Sequence, residues 1–444
     1  MDRQTVVVVG SGASGLAAAF RLREAGCRVR LLERGDKPGG RMSTVRRDGF
    51  QIEEGPSGLT RGHRSILGIV EDAGLGDEIV DASSLVGISD RGSDIYLLDA
   101  HHIVRDALRT KLVSRRTKLA LLRLVADLLR YRSRIDAEDM SKLVGIDHLS
   151  AERYARRRYG DEAFEKVIDP CVRPLVIGHS EKLSAADLIQ VFSAFMANQE
   201  FVAFRGGMGS YPALLAPLFD TTLNAEVLAV TESPDSVRVS WRDAAGATHE
   251  ETVAGAVLAC DAQAAERMHP GLDAHRRAFL RDRVKFQPLV HVNVATRNEP
   301  GTKACYVFPV ARHHPRLVAL TFEHNKVSGR APKGKGIVGI YPTPEWSDEL
   351  FGEYDDVIAK NLINEAEDIL PGLGGDIDFA HVTRVTPAVM NSYPGYWTAM
   401  ADFRDRCAAD RRIQLAGDYF CVSSVNAASA AGERAARDLL AATS

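Results

Sequence analysis

The stretch 6–41, VVVVGSGASGLAAAFRLREAGCRVRLLERGDKPGGR, decides the fold. It reads as a strand, a glycine turn, a helix, a second strand and a second glycine turn. Val6, Val7, Val8 and Val9 make the short apolar run of a strand buried on both faces, and the chain then turns at Gly10-x-Gly12-x-x-Gly15. Gly10 permits the tight turn and Gly12 lets the backbone approach a pyrophosphate. Gly15 lets the helix lie close on its strand, while Ala13 and Ser14 open that helix with its positive end toward the phosphates. Glu33 ends the second strand, 28–32, where a carboxylate can accept hydrogen bonds from an adenosine ribose. A glycine turn in some other α/β unit is the competing reading. The strand before, the helix after and the acid at the right distance weigh against it.

The 444 residues suffice for two or three domains' worth of core, and 45% hydrophobic with 26% charged residues is the balance of a globular chain, not a disordered one. A net charge of −3 gives no chain-wide bias toward nucleic acid. Six cysteines without CxxC pairs or metal spacing suit a reducing compartment and indicate no metal. With no charged-then-apolar leader and no apolar run long enough to span a bilayer, the expected location is cytoplasmic.

Gly39-Gly40-Arg41 adds a flexible turn and a guanidinium suited to phosphate. Together GSGASGL, LLE and GGR resemble the opening of the FAD-dependent amine oxidase superfamily, which includes protoporphyrinogen oxidases and phytoene-type desaturases. The resemblance implies an α/β FAD-binding Rossmann-like domain of the GR2 type, with an inserted α+β substrate-binding domain containing a mostly helical subregion. It implies FAD as cofactor, with Gly40 and Arg41 against the dinucleotide. Many members carry arginine two residues after the acid; here Gly35 stands there and Arg34 is its neighbour, which leaves the adenosine-side contact to Arg34 open. GFQIEEGPS, 49–57, resembles the E-x-GP segment and implies Gly55, Pro56 and Ser57 beside the flavin. FRGGM, 204–208, resembles the return into the FAD domain, and Val227 falls where a backbone contact to adenine is expected. IQLAGD, 413–418, and the helix 426–440 resemble the second FAD signature, with Gly417 and Asp418 at ribityl or pyrophosphate oxygens and Val425 at the pyrimidine edge of the ring. The implied division is 1–65, 203–271 and 381–444 for FAD, and 66–202 and 272–380 for substrate.

From about 66 to 199 apolar residues recur at helical spacing, and 100–200 is expected to be mostly helical. Within it 111–134 alternates leucines with arginines. Such a helix can lie on a membrane surface or meet an anionic substrate, although a solvated surface helix is the commoner case. Ser184 is the expected cap of a helix with Asp187 in its first turn, and His179 a satisfied loop histidine. In 289–294, Leu-Val-His-Val-Asn-Val, the valines share one face and His291 and Asn293 the other. Many amine oxidases hold a water at flavin N5 with a lysine at this place, so the resemblance puts His291 there, able to hold that water or titrate near neutrality. Tyr393, Tyr396 and Trp397 are candidates for a cavity wall, with core packing equally open.

Counting back from Gly432-Glu433 to the place where amine oxidases usually show an aromatic residue finds Ser424 and Val425, without a ring. With the lysine also absent, this favours dehydrogenation of a small or medium apolar carbon skeleton by hydride transfer to flavin: a cyclic ketone, a terpenoid-like compound or a porphyrinogen. Amine oxidation is the alternative within the fold. A binding protein of the GDP-dissociation-inhibitor type is the alternative of another class. The expected partners are that substrate and an acceptor such as oxygen, a quinone or another protein, with no nucleic acid. Peripheral membrane contact and oligomeric state stay open.

Overall fold

In the computed structural model the described residues are 4–136, 139–196, 200–408 and 411–443. Thr5–Val9 is the central strand of a five-stranded parallel sheet in the order Asp220–Thr222, Arg28–Leu32, Thr5–Val9, Gly255–Leu258, Ile413–Leu415. The valine run is continuous because both faces are covered. Val6 and Val8 pack with the helix Ala13–Glu24 and the C-terminal helix Val425–Thr443, whereas Val7 and Val9 belong to the core under the antiparallel strands Glu226–Glu232, Val237–Arg242 and Thr248–Val253. The two helices approach so closely that a Cβ at Gly432 would stand 2.0 Å from the Ser14 carbonyl oxygen.

The second large element is a seven-stranded sheet in the order Ile377–Met390, Phe286–Thr296, Gly336–Pro342, Leu317–Phe322, Tyr306–Pro309, Leu85–Ser89, Ile95–Asp99. Its pairs are antiparallel except Tyr306–Pro309 with Leu85–Ser89. The valine face read from 290, 292 and 294 packs on Ile358 and Leu362 of the helix Asp355–Ala366.

Two expected boundaries move. Residues 381–390, assigned to the FAD-binding part, continue the strand Ile377–Met390 and pair with Phe286–Thr296 as far as Phe286 opposite Met390. The helix Arg64–Asp72, which spans the expected boundary at 66, buries Ile66, Ile69 and Val70 in the core shared with the C-terminal helix. In both cases the deciding partner is tens to hundreds of residues distant. The stretch 66–99 also contains the strands Ile79–Asp81, Leu85–Ser89 and Ile95–Asp99. Between Ile103 and Met196 the elements are helices, Arg115–Tyr131, Ala151–Tyr159 and Ala185–Met196 among them. Arg115–Tyr131 turns Leu124 and Leu128 inward but leaves Leu119, Leu122 and Leu129 exposed. Among the described residues no helix is long and apolar enough to cross a membrane.

Candidate functional site

A cavity of about 1090 Å³ runs from the glycine turns of the parallel sheet to the face of the seven-stranded sheet. That exceeds the roughly 300–1,000 Å³ of a site for one drug-sized ligand, as a cofactor plus substrate would need.

At one end the helix Ala13–Glu24 starts at Gly12 with no side-chain cap, so its first N–H groups are available to an anion. Gly10 has φ +97°, open only to glycine at low cost, and a Cβ at Gly15 would meet the Gly10 carbonyl oxygen at 1.8 Å. Gly15 accordingly does not line the cavity but lies beneath the turn, whereas Gly10, Gly12, Ala13 and Ser14 line it. The second glycine turn closes over the first: Gly39 N donates to Ser11 O at 3.1 Å, and a Cβ on Gly40 would stand 3.6 Å from Gly12 Cα. Glu33 is held by Ser11 N at 2.8 Å and Gly35 N at 2.7 Å. Glu33, Arg34 and Val227 all face the same cavity. An uncapped helix start between two glycine turns, with a fixed carboxylate beside it, fits a dinucleotide such as FAD.

Arg41 and Asp418, 377 residues apart in sequence, form a two-bonded ion pair of 2.8 and 2.9 Å at the cavity wall. Arg41 also donates to Ala388 O at 2.6 Å. Burial opposes the charge on Arg41, but Asp418 raises its pKa above the ordinary value. Gly40, Gly417 and Val425 line the wall beside this pair. Gly55, Pro56 and Ser57 continue the wall toward the large sheet. Behind Ser57, Lys326 donates to Ser57 O at 3.0 Å and Ser57 Oγ at 3.1 Å, pairs with Glu323, and sits 4.4 Å from the Tyr306 ring centre.

The far end is lined by Leu289, Ala319 and Val385, by the rings of Tyr306, Phe308 and Tyr341, and by the unpartnered hydroxyls of Thr321 and Thr383. The helix Ala185–Met196 adds Asp187, Gln190 and Val191.

Four expected positions differ. His291 is fully buried and does not line the cavity: its ring stacks on Tyr341 with centres 4.7 Å apart, and Nε2 lies 3.2 Å from Glu54 O. Burial pushes its pKa down to about 4, so it is neutral at physiological pH and does not titrate there. Tyr393, Tyr396 and Trp397 do not form the cavity wall. Tyr396 and Trp397 are wholly buried at the start of the helix Tyr396–Cys407, where Tyr396 packs on Phe279 and donates to Tyr419 O at 2.6 Å; Tyr393 donates to Arg283 O. Aromatic density there reflects core packing.

Tyr306, Tyr341 and Lys326 escaped the sequence reading, and Asp187 was read there only as a helix-start residue. The alternation that found the valine face also marks Tyr306 and Phe308 as sharing one side of their strand, opposite core Val307. Which side fronts a cavity depends on the neighbouring strands. Asp187 was assigned to a helix first turn, which it occupies, with Ala186 N donating to the capping Ser184 Oγ at 3.1 Å. His179 is satisfied by Glu345.

The family described as flavin containing amine oxidoreductase matches residues 13–440. Among curated proteins, the chain is 26% identical over 205 residues to coproporphyrinogen III oxidase of Staphylococcus aureus, covering 44% of this chain and 41% of that one. It is 28% identical over 181 residues to mitochondrial protoporphyrinogen oxidase of Nicotiana tabacum, covering 40% and 34%. Each match thus spans under half of the relative. Among solved structures, putrescine oxidase bound to putrescine superposes with a TM-score of 0.76 at 18% identity over 99% of both chains. Cyclohexylamine oxidase of Brevibacterium oxydans does so with 0.73 at 14% over 98% of both. At such identities these structures speak for the fold.

Proposed function

The chain belongs to the flavin containing amine oxidoreductase family and is an FAD-dependent oxidoreductase; from that premise we propose that it dehydrogenates a small or medium apolar substrate, with CH–CH desaturation of a cyclic ketone, terpenoid-like compound or porphyrinogen as the leading reaction. The supporting observation is the single cavity that joins the glycine turns to an apolar end walled by Leu289, Phe308, Ala319 and Val385. When bound, FAD would supply a two-electron acceptor for the substrate's hydride. The residues of the chain then have to orient the substrate and exclude water. In this reading Gly10, Gly12, Ala13, Ser14 and Glu33 hold the adenosine and pyrophosphate with Arg34 and Val227 beside them, while Gly40, Arg41, Gly417, Asp418 and Val425 hold the flavin side. Gly55, Pro56 and Ser57 border the ring, with Ser57 kept in place by the Lys326 ammonium.

A second reading, oxidation of an amine, is favoured by one observation: Tyr306 and Tyr341 both present rings to the cavity, and electron-rich rings attract cationic amines. Anaerobic mixing of the oxidised holoenzyme with cyclic ketones, porphyrinogens and amines separates the two. Bleaching of the flavin band by a ketone or porphyrinogen is expected; bleaching by amines alone would replace the first reading with the second, and a protein that takes up no FAD would remove both.

For the route of an apolar substrate, the reading points to an anionic membrane surface at the helices Ile103–Arg109 and Arg115–Tyr131. Val104, Leu108, Leu119, Leu122 and Leu129 are exposed there. Lys118 ties the two helices by donating to Leu108 O and Thr110 O, both at 2.7 Å. Among the described residues Arg109, Arg115, Arg116 and Arg123 have no carboxylate partner, so apolar and cationic groups share one outward face. Ala100, three residues before the first helix, lines the cavity. Co-sedimentation with phosphatidylglycerol vesicles but not phosphatidylcholine vesicles, lost in Leu122→Asp/Leu129→Asp, is the expected result. Equal recovery with both lipids would refute it.

A further inference from the structure

We propose that Asp187 and Gln190 form an acceptor subsite in the cavity wall that selects substrates presenting an N–H donor. The inference rests on the cavity being the substrate chamber and narrows what enters it. The two residues are three apart on the helix Ala185–Met196, so they share a face, and both line the cavity. Asp187 is 1% exposed. Its Oδ2 accepts from Ser392 Oγ at 2.7 Å; its Oδ1 makes no hydrogen bond of good geometry, although the Trp397 indole N–H, itself unpaired, is near enough to favour the charged form, and Gln190 Oε1 has no partner. Buried polar atoms are ordinarily paired, and an unpaired acceptor bordering a cavity is a place for a ligand's donor.

The neighbouring carboxylate makes the contrast. Asp147 is equally buried, does not line the cavity and is fully used, accepting from Ser184 Oγ at 2.8 Å and from Thr398 N and Oγ1 at 2.8 and 2.9 Å. Asp187, linked to it through Ser184 N donating to Ser392 O and Ser392 Oγ donating to Asp187, has an Oδ1 with no bond of good geometry. Among the described residues no lysine or arginine pairs with it, so no protein cation competes with a ligand. Around it the groups are Ser184, Ser392, the Trp397 indole and Asp147. Burial pushes the carboxyl up to about 7, the Ser392 and Trp397 side chains pull it down, and Asp147 raises it. Above that pH it is an anionic acceptor, which strengthens a bond to N–H. The cavity also holds the Thr321 and Thr383 hydroxyls and the Tyr306 and Tyr341 phenols, but a hydroxyl can donate as well as accept; an ionised carboxylate only accepts, so Asp187 supplies the preference for a donor.

The test uses the holoenzyme and equilibrium dialysis of three tricyclic probes of like shape at pH 8: carbazole with an N–H, fluorene with no polar group and fluorenone with an acceptor only. Carbazole should bind about tenfold more tightly than fluorene, and Asp187→Asn or Gln190→Leu should shrink that preference while the bound-flavin spectrum stays unchanged. Equal binding of carbazole and fluorene, a preference for fluorenone, no retention of carbazole, or a preference that survives in the Asp187→Leu/Gln190→Leu double variant would each overturn the proposal. If that variant fails to fold, the wild-type comparison decides alone. Because binding is measured without turnover, a carbazole preference in an enzyme whose flavin no substrate class bleaches would sink the reaction reading and leave this one standing.

Discussion

Replacing Lys326 by Met tests how the cavity wall proposed to face the flavin is held. Lys326 and Glu323 are each 2% exposed at the side chain and pair with one another, and Glu323 Oε2 already lacks a partner. Burial alone would lower the lysine pKa, but Glu323 and Tyr306 raise it above its ordinary value, so the ammonium is charged. Met keeps most of the volume and removes the charge. The Glu323 carboxylate is then left buried without its cation, a change that costs about 3–5 kcal/mol in such pairs. Ser57 simultaneously loses the two hydrogen bonds it accepts from the ammonium, at 3.0 and 3.1 Å. Urea unfolding of the wild type, Lys326→Met, Glu323→Gln and the double variant measures the coupling. Lys326→Met should lose at least about 3 kcal/mol, and Glu323→Gln on top of it should recover a large part, because the uncompensated charge is gone. The flavin absorption of Lys326→Met should broaden or shift as Ser57 loosens. A cost below about 1 kcal/mol, or a double variant no better than the single, would show that the pair is not the buried, charged clamp described.

His291→Ala should lose about 3 kcal/mol of stability through the vacated stacking site on Tyr341, yet leave the pH dependence of flavin reduction across neutrality unchanged, as stopped-flow measurements would show. Arg41→Lys replaces a two-bonded contact with a point charge and should weaken FAD retention by about 1.5–3 kcal/mol, read by dialysis against free FAD. Gly432→Ala should cost about 3 kcal/mol or more and release FAD, since a methyl at 2.0 Å from Ser14 O forces the two helices apart. The carboxyl of Asp187, at about 7 in the folded protein against about 3.8 unfolded, binds more protons when folded between those values. Its contribution therefore diminishes as pH rises through that window, by up to about 1.4 kcal/mol per unit, and Asp187→Asn should flatten the slope seen in urea titrations at successive pH values.

The glycine cradle was legible because turn, helix start and closing acid lie within 6–41 and Gly15 is demanded there by the Gly10 carbonyl, whereas the crowding at Gly10 and Gly39 involves Ala259 and Pro212, far along the chain. The resemblance reached further, to Arg41 and Asp418, but their pairing with one another joins opposite ends of the chain and had no local signal. Tyr393, Tyr396 and Trp397 were misplaced for the converse reason. Clustered rings suit a cavity wall and a core alike, and what chose the core was Phe279 and Tyr419, from two other segments. Asp187 satisfies the helix-start pattern and borders the cavity at once, so the simpler reading concealed the second role.

His291 shows most directly how a correct pattern can carry a wrong inference. The alternation in 289–294 does give one apolar and one polar face. The polar face meets protein backbone: His291 Nε2 lies 3.2 Å from Glu54 O, and Asn293 Nδ2 donates to Glu53 O at 3.1 Å. Those carbonyls immediately precede Gly55, Pro56 and Ser57. The side chains of the same two glutamates diverge as strand neighbours must: Glu53 turns to buried Arg330 and Thr44, Glu54 to His381 and Ser43. The Glu53 carboxyl is pushed up to about 7 by burial and by Glu323, whereas His381 brings Glu54 down to about 2. The seven-stranded sheet is thus fastened, through His291, Asn293 and His381, to the segment that lines the cavity beside the proposed ring. Hence the polar residues of the Phe286–Thr296 strand govern where that segment stands, and substitutions among them should act on the bound-flavin spectrum and on stability together, without supplying or removing a proton.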